Sequence, residues 1–197
     1  MRLLILLFLS SALLLQASAS YANVNPWKES HRLEAIHQYD AALNALNAVS
    51  SDNELALLRR GWLNYLKGSH SKSIDHYKKA LSRNNKSLDA RLGIILPLLA
   101  QQRWREAAVN ANKVLEVAPW NYYAHTRLMV TEQALKQWSQ LEKHALSAHQ
   151  HFPSDATYIT YLARAHHKLG QKQTAQDWYK KLLELAPDNF EATQYMD

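Results

Sequence analysis

Ten histidines in a chain of 197 residues raise metal binding as the first chemistry to test. Two ligands on one helical face need a spacing near four, and no pair has it: His149 and His151 are two apart, His144 and His149 five apart, and His166 and His167 adjacent. There is no cysteine to complete a zinc set. The reading is therefore no metal and no cofactor, with the histidines as helix-surface groups that titrate in part near neutral pH. Enzyme signatures are equally thin. The chain has no Gly-x-Ser-x-Gly elbow, no glycine-rich phosphate loop, no His-Glu-x-x-His and no thiol nucleophile. Glu106, Glu116, Glu142 and Glu184 read as solvated charge balanced by nearby Lys and Arg. Trp104 and Trp138, 34 residues apart, read as wedges between packed helices and not as ligand contacts. The expectation is a protein that binds without catalysing.

The elements that would carry such binding are helices. Four glycines and five prolines are few, while Ala, Leu, Gln and Lys are strong helix formers. In Ala156–Asn189, Ile159, Leu162, Ala163 and His166 fall on one face of a first helix. Gly170 breaks the pattern, Ala175, Tyr179, Leu182 and Leu183 share one face of a second helix, and Pro187-Asp188-Asn189 ends it. The unit resembles a tetratricopeptide repeat, a helix-turn-helix of about 34 residues. Ile159, Leu162-Ala163, Gly170, Ala175, Tyr179 and Pro187 occupy its pattern; His166 stands where an aromatic is usual and Leu182 where Ala is usual.

Counting back along the chain by this period gives further units starting at Tyr122, Leu88 and Glu54. In the first of these, Met129 and Leu141 replace paired small residues, which predicts a wider hairpin. In the unit from Leu88, Pro97 inside the first helix predicts a kink or frayed turn. In the unit from Glu54, Arg60 and Asn64 stand at places that usually face the core. Trp27 to Val49 has neither Gly nor Pro, and Leu33, Ile36, Tyr39, Leu43 and Leu46 fall on one stripe. It reads as one long capping helix, as a solenoid end requires. The fold expected is all-α, a right-handed α-solenoid of antiparallel helix pairs. Its parts are a capping helix (23–53), four repeats (54–87, 88–121, 122–155, 156–189) and a C-terminal helical stub (190–197).

At the start, Met1-Arg2 precedes the apolar run Leu3–Leu15 and then small residues, the form of a secretory signal peptide over residues 1–22. The run is shorter than the roughly 20 residues that span a bilayer, so no stable membrane insertion is expected after processing. Cleavage fits after Ala19 or Ala22, the second preferred. Without cysteine the chain is neither a lipoprotein nor a disulfide-stapled domain, and the periplasm or cell exterior fits best. The formal charge of +6, which loses one unit with Arg2, points to anionic envelope material or an acidic protein partner and not to nucleic acid.

The family resemblance implies where a partner sits: the second, fifth, ninth and twelfth residues of each repeat face a concave groove. These are Leu55, Leu58, Trp62 and Tyr65; Asp89, Leu92, Leu96 and Leu99; Tyr123, Thr126, Val130 and Gln133; and Thr157, Thr160, Arg164 and His167, with Lys168 beside it. The groove changes from apolar and aromatic to polar and basic, with Trp62 its largest rigid anchor. The Lys and Asn with which chaperone-binding members clamp a carboxylate are missing. The resemblance thus implies a non-catalytic scaffold that holds an extended or helical segment of a partner protein, within an envelope-assembly, secretion or cytochrome-maturation complex. Competing readings are an anionic-glycan binder, a homodimer seam along the stripe, or self-occlusion by Asn23–His31 through Trp27. If the leader reading holds, the intact mass of the exported protein corresponds to a chain beginning near Asn23; an exported form that retains Met1–Ala22 refutes it.

Overall fold

In the computed structural model, residues 25–196 are described, and the signal-peptide reading lies outside them. The described residues form eleven α-helices and no strand. In chain order these are α1 Pro26–Ala35, α2 Tyr39–Ala45, α3 Glu54–Leu66, α4 His70–Arg83, α5 Leu88–Ala100, α6 Trp104–Leu115, α7 Tyr122–Ala134, α8 Trp138–His151, α9 Ala156–Lys168, α10 Lys172–Leu185 and α11 Phe190–Met196. A 3-10 turn, Leu46–Ala48, follows α2. Each helix packs mainly on its sequence neighbours, which makes an all-α solenoid of antiparallel pairs.

Local chemistry repeats at a fixed interval. Asn53, Ser87, Asn121, Asp155 and Asn189 stand 34 residues apart, and each side chain accepts a backbone N–H at the start of the helix that follows. These N-caps satisfy donors that the first helical turn leaves unpaired, each worth about 1 kcal/mol. The first helix of each pair ends with one residue in the left-handed region: His37, Gly68, Gln102, Lys136 and Gly170, all between φ 56° and 80°. The N–H of the residue after each returns to a carbonyl in the last turn of that helix, as in Ser69 to Asn64 at 2.8 Å and Gln137 to Glu132 at 2.9 Å.

This turn corrects the reading of 23–53 as a single capping helix. Ile36-His37-Gln38 reverses the chain, so residues 26–45 are a hairpin whose two arms bury Leu33, Ala42 and Leu46 against Leu63. Ile36, placed on the apolar stripe by its spacing, is exposed in the turn. The left-handed residue is His37, so the sequence carried no glycine to announce the reversal.

Small residues set how closely paired helices approach. Ser73, Ala107 and Ala175 are fully buried at the crossings of their hairpins, and Ser73 Oγ donates to the Gly61 carbonyl at 2.7 Å. The Tyr77 ring is slotted between two bare backbones: a Cβ on Gly61 would come within 2.8 Å of it and one on Gly93 within 2.3 Å. Where Met129 and Leu141 stand instead, α7 and α8 approach each other over less of their length than the other pairs do. α5 continues through the buried Pro97 as one helix, so of the two outcomes expected there the frayed turn does not form. Arg60 and Asn64 are accommodated by bonds: Arg60 donates to the carbonyls of Leu46 and Val49, and Asn64 to that of Arg60.

Ala175 is fully buried against α9 while Gln176 is half-buried, so Ala175→Phe lowers stability by roughly 1 to 3 kcal/mol and Gln176→Ala changes little. Gln102→Gly, which removes a side chain from a left-handed turn, raises stability by about 1 kcal/mol. Thermal unfolding of the three variants checks both statements; equal effects of the first two would refute the crossing.

Candidate functional site

The groove residues lie along the first helices of successive pairs, α3, α5, α7 and α9, each started by its cap. None of Leu55, Leu58, Trp62, Tyr65, Leu92, Leu96, Leu99, Tyr123, Thr126, Val130, Arg164, His167 and Lys168 is buried: Leu55, Tyr123, His167 and Lys168 are exposed and the others half-buried. Leu55 is 64% and Tyr123 59% exposed, unusual for large apolar side chains. Leu58, Leu92 and Leu99 are half sunk into the core around Ile94 and Ile95.

Two clefts interrupt the row. Leu55, Leu58 and Trp62 join Trp27, His31 and Asp89 around a cavity of about 460 Å³. Trp27 and His31 form one wall there. Val130, Arg164, His167 and Lys168 join Trp104, Trp138, Lys136 and residues of α11 around a larger one of about 800 Å³. Trp104 and Trp138, read as wedges, thus also face a cavity. Tyr65, Leu92, Leu96, Leu99, Tyr123 and Thr126 line neither cleft. The Thr126 hydroxyl is bonded back to the carbonyls of Tyr122 and Tyr123, so its donor is spent.

Two expected contact residues are tied into the scaffold. The Trp62 indole N–H donates to Glu34 at 2.6 Å, and Arg59 pairs with the same carboxylate. Burial works to raise the Glu34 carboxyl, but the bonds from Trp62 and Arg59 outweigh it and hold it below the usual range. Arg164, expected as free positive charge, is claimed by Glu191 of α11 through Nε and Nη2 at 2.5 to 3.0 Å. Tyr179 donates to Glu191 as well, at 2.9 Å. The basic end therefore rests on Lys136, Lys168 and His167.

Sequence reading missed Arg127. It is half-buried on α7, donates to the Leu92 carbonyl at 2.7 Å and lies over the Tyr123 ring at 5.4 Å. Burial lowers its pKa, and among the described residues no carboxylate pairs with it. It lies off the four groove places of the family pattern; the available signal was a lone cation between apolar residues of a first helix.

Among the described residues no group of three His, Asp or Glu is placed to hold an ion. Three protein groups instead bridge the wide α7–α8 hairpin. His144 Nδ1 meets Glu132 at 2.9 Å, His144 Nε2 meets His125 Nδ1 at 2.7 Å, and His125 Nε2 donates to the Pro119 carbonyl at 2.8 Å.

Family models for the tetratricopeptide repeat match residues 28–90 and 156–189. The first match takes in the α1–α2 hairpin. The chain is a tetratricopeptide-repeat protein. Among solved structures, MamA from Desulfovibrio magneticus RS-1, residues 41 to its end, superposes with a TM-score of 0.74 at 18% identity, covering 82% of this chain and 93% of that one. YrrB, described as a TPR protein with an unusual peptide-binding site, gives 0.72 at 15% identity over 86% and 89%. TTC0263, a thermophilic TPR protein of Thermus thermophilus, gives 0.62 at 20% identity over 87% and 96%. Comparison with curated proteins finds no match. At these identities the superpositions establish the fold alone. In this tetratricopeptide-repeat chain no described helix is long and apolar enough to cross a membrane.

Burial pulls His76, His125 and His149 below the ordinary histidine value of 6.5; neighbouring Lys79, His144 and Lys181 respectively push the same way. The unfolded chain thus binds more protons than the folded one as pH falls through 6.5. Stability is full above that value and is lost progressively below it. The melting temperature is expected to fall between pH 7.5 and 5.5, with a shallower slope for His125→Gln/His149→Gln. A melting temperature that rises on acidification would contradict this.

Proposed function

We propose that this protein is a non-catalytic scaffold that holds a segment of a partner protein in its concave groove. The supporting observation is the row of large apolar side chains left half or fully exposed on one face, from Leu55 and Leu58 through Leu92 and Leu96 to Tyr123. Large contiguous apolar surface of this kind normally marks an interaction site. Arg127, without a carboxylate of its own, adds a polar fixed point beside Tyr123. YrrB, alike in fold, is described as having a peptide-binding site. The apolar leader and the absence of cysteine support a periplasmic or secreted location, within an envelope-assembly, secretion or cytochrome-maturation complex.

Leu55 and Tyr123 are the residues on which to test this, because both are exposed and neither anchors a core cluster. A photo-crosslinking residue at position 96 yields a defined protein adduct in intact cells, while one at Val109, exposed on a second helix, does not. Leu55→Ser/Tyr123→Ser weakens capture of that partner by about 2 kcal/mol, roughly thirtyfold, with little change in melting. Undiminished capture by the folded double variant would rule the groove out.

A further inference from the structure

The larger cavity lies where the second half of the groove meets the turns between paired helices, and α11 closes its far side. Its apolar walls are Trp104 and Trp138, both half-buried, with Val130 and Ala134 between them. Its charge is one-sided. Glu191 is the one acid among the lining residues, and Arg164 and Tyr179 already occupy it. Lys136 and Lys168 line the same cavity, are exposed, and pair with no carboxylate among the described residues.

A second observation bears on Lys136. It sits at φ 56°, the turn position that glycine fills in two of the other hairpins. A lysine there, like His37 and Gln102 at the equivalent turns, costs about 1 kcal/mol relative to glycine. That turn places the Lys136 side chain on the rim of the tryptophan-walled cavity.

We infer that this cavity is a subsite for a partner segment carrying an apolar or aromatic side chain flanked by carboxylates. The side chain enters between Trp104 and Trp138, and the carboxylates meet Lys136 and Lys168. The inference rests on the groove reading and adds the chemistry of the segment bound at its C-terminal end. Charge selects the occupant: with Arg164 and Glu191 neutralising each other, a basic segment would face two unpaired lysines, while an acidic one supplies the anions this rim lacks.

The test uses fluorescein-labelled peptides built around one phenylalanine, with Glu and Asp, Gln and Asn, or Lys and Arg on either side, measured by anisotropy. The acidic peptide binds and the basic one does not. Lys136→Glu/Lys168→Glu weakens the acidic peptide about tenfold or more, while the charge-matched Lys113→Glu/Lys143→Glu, exposed on second helices and outside the cavity, leaves it unchanged. Lys136→Gly separates recognition from folding: it raises the melting temperature and still lowers affinity. Equal binding of acidic and basic peptides, binding indifferent to both lysines, or no binding of the acidic peptide overturns the subsite, and leaves the groove reading to its own crosslink at position 96. Polygalacturonate bound more tightly than the acidic peptide, with the same lysine dependence, overturns the peptide assignment.

Discussion

The distance between the two helices of each pair, set by the size of the side chains at their crossing, governs the rest of the molecule. Ser73, Ala107 and Ala175 allow close contact because they contribute almost no bulk. Close contact between paired backbones lets one large ring, Tyr77, fill the angle between Gly61 and Gly93. It also fixes the inclination from one first helix to the next, and thereby where the groove side chains point. Buried area at such joints is worth about 25 cal/mol per Å², but only where shapes match. At Met129 and Leu141 they do not allow the same approach, and the hairpin is held by a polar chain of Glu132, His144 and His125. Groups this enclosed require partners, since an unpaired polar atom at low dielectric costs more than the bond contributes.

Period, helix class and repeat family were legible because they rest on features that sequence displays directly: apolar spacing, Gly170 at a turn, small residues at crossings and Pro187 at a helix end. The reversal at His37 was hidden for the opposite reason. A histidine in the left-handed region has no local signature, and the stripe from Leu33 to Leu46 suits one helix as well as two. At Pro97 the local rule allowed a kink or a frayed turn, and the helix runs on past that buried residue.

At the site, position was easier to read than state. The family pattern named residues on the groove, and all of those named are accessible to solvent to some degree. What periodicity could not reveal is which of them are already engaged. Arg164 counts as free charge in a sequence and as half of a bidentate pair once Glu191 folds back on it. Trp62 counts as an anchor until its N–H is seen to hold Glu34. These bonds join residues 28 and 27 positions apart, beyond the reach of any local pattern.

Leu128 and Met129 are neighbours in sequence on α7, yet they belong to different cores. Leu128 completes the cluster that runs back to Ile74, and Met129 opens the one that runs on to Ala165. A single helix is thus the axle between two halves of the array, next to the least intimate of its hairpins. Among the hairpins, α7–α8 is the one with least packing between its arms, and so the one that least resists bending. Bending there changes the curvature of the whole concave surface while each half keeps its own packing. Tyr123 and Val130 ride on that axle, so a bound segment spanning both the apolar row and the tryptophan cavity would fix the curvature of the solenoid.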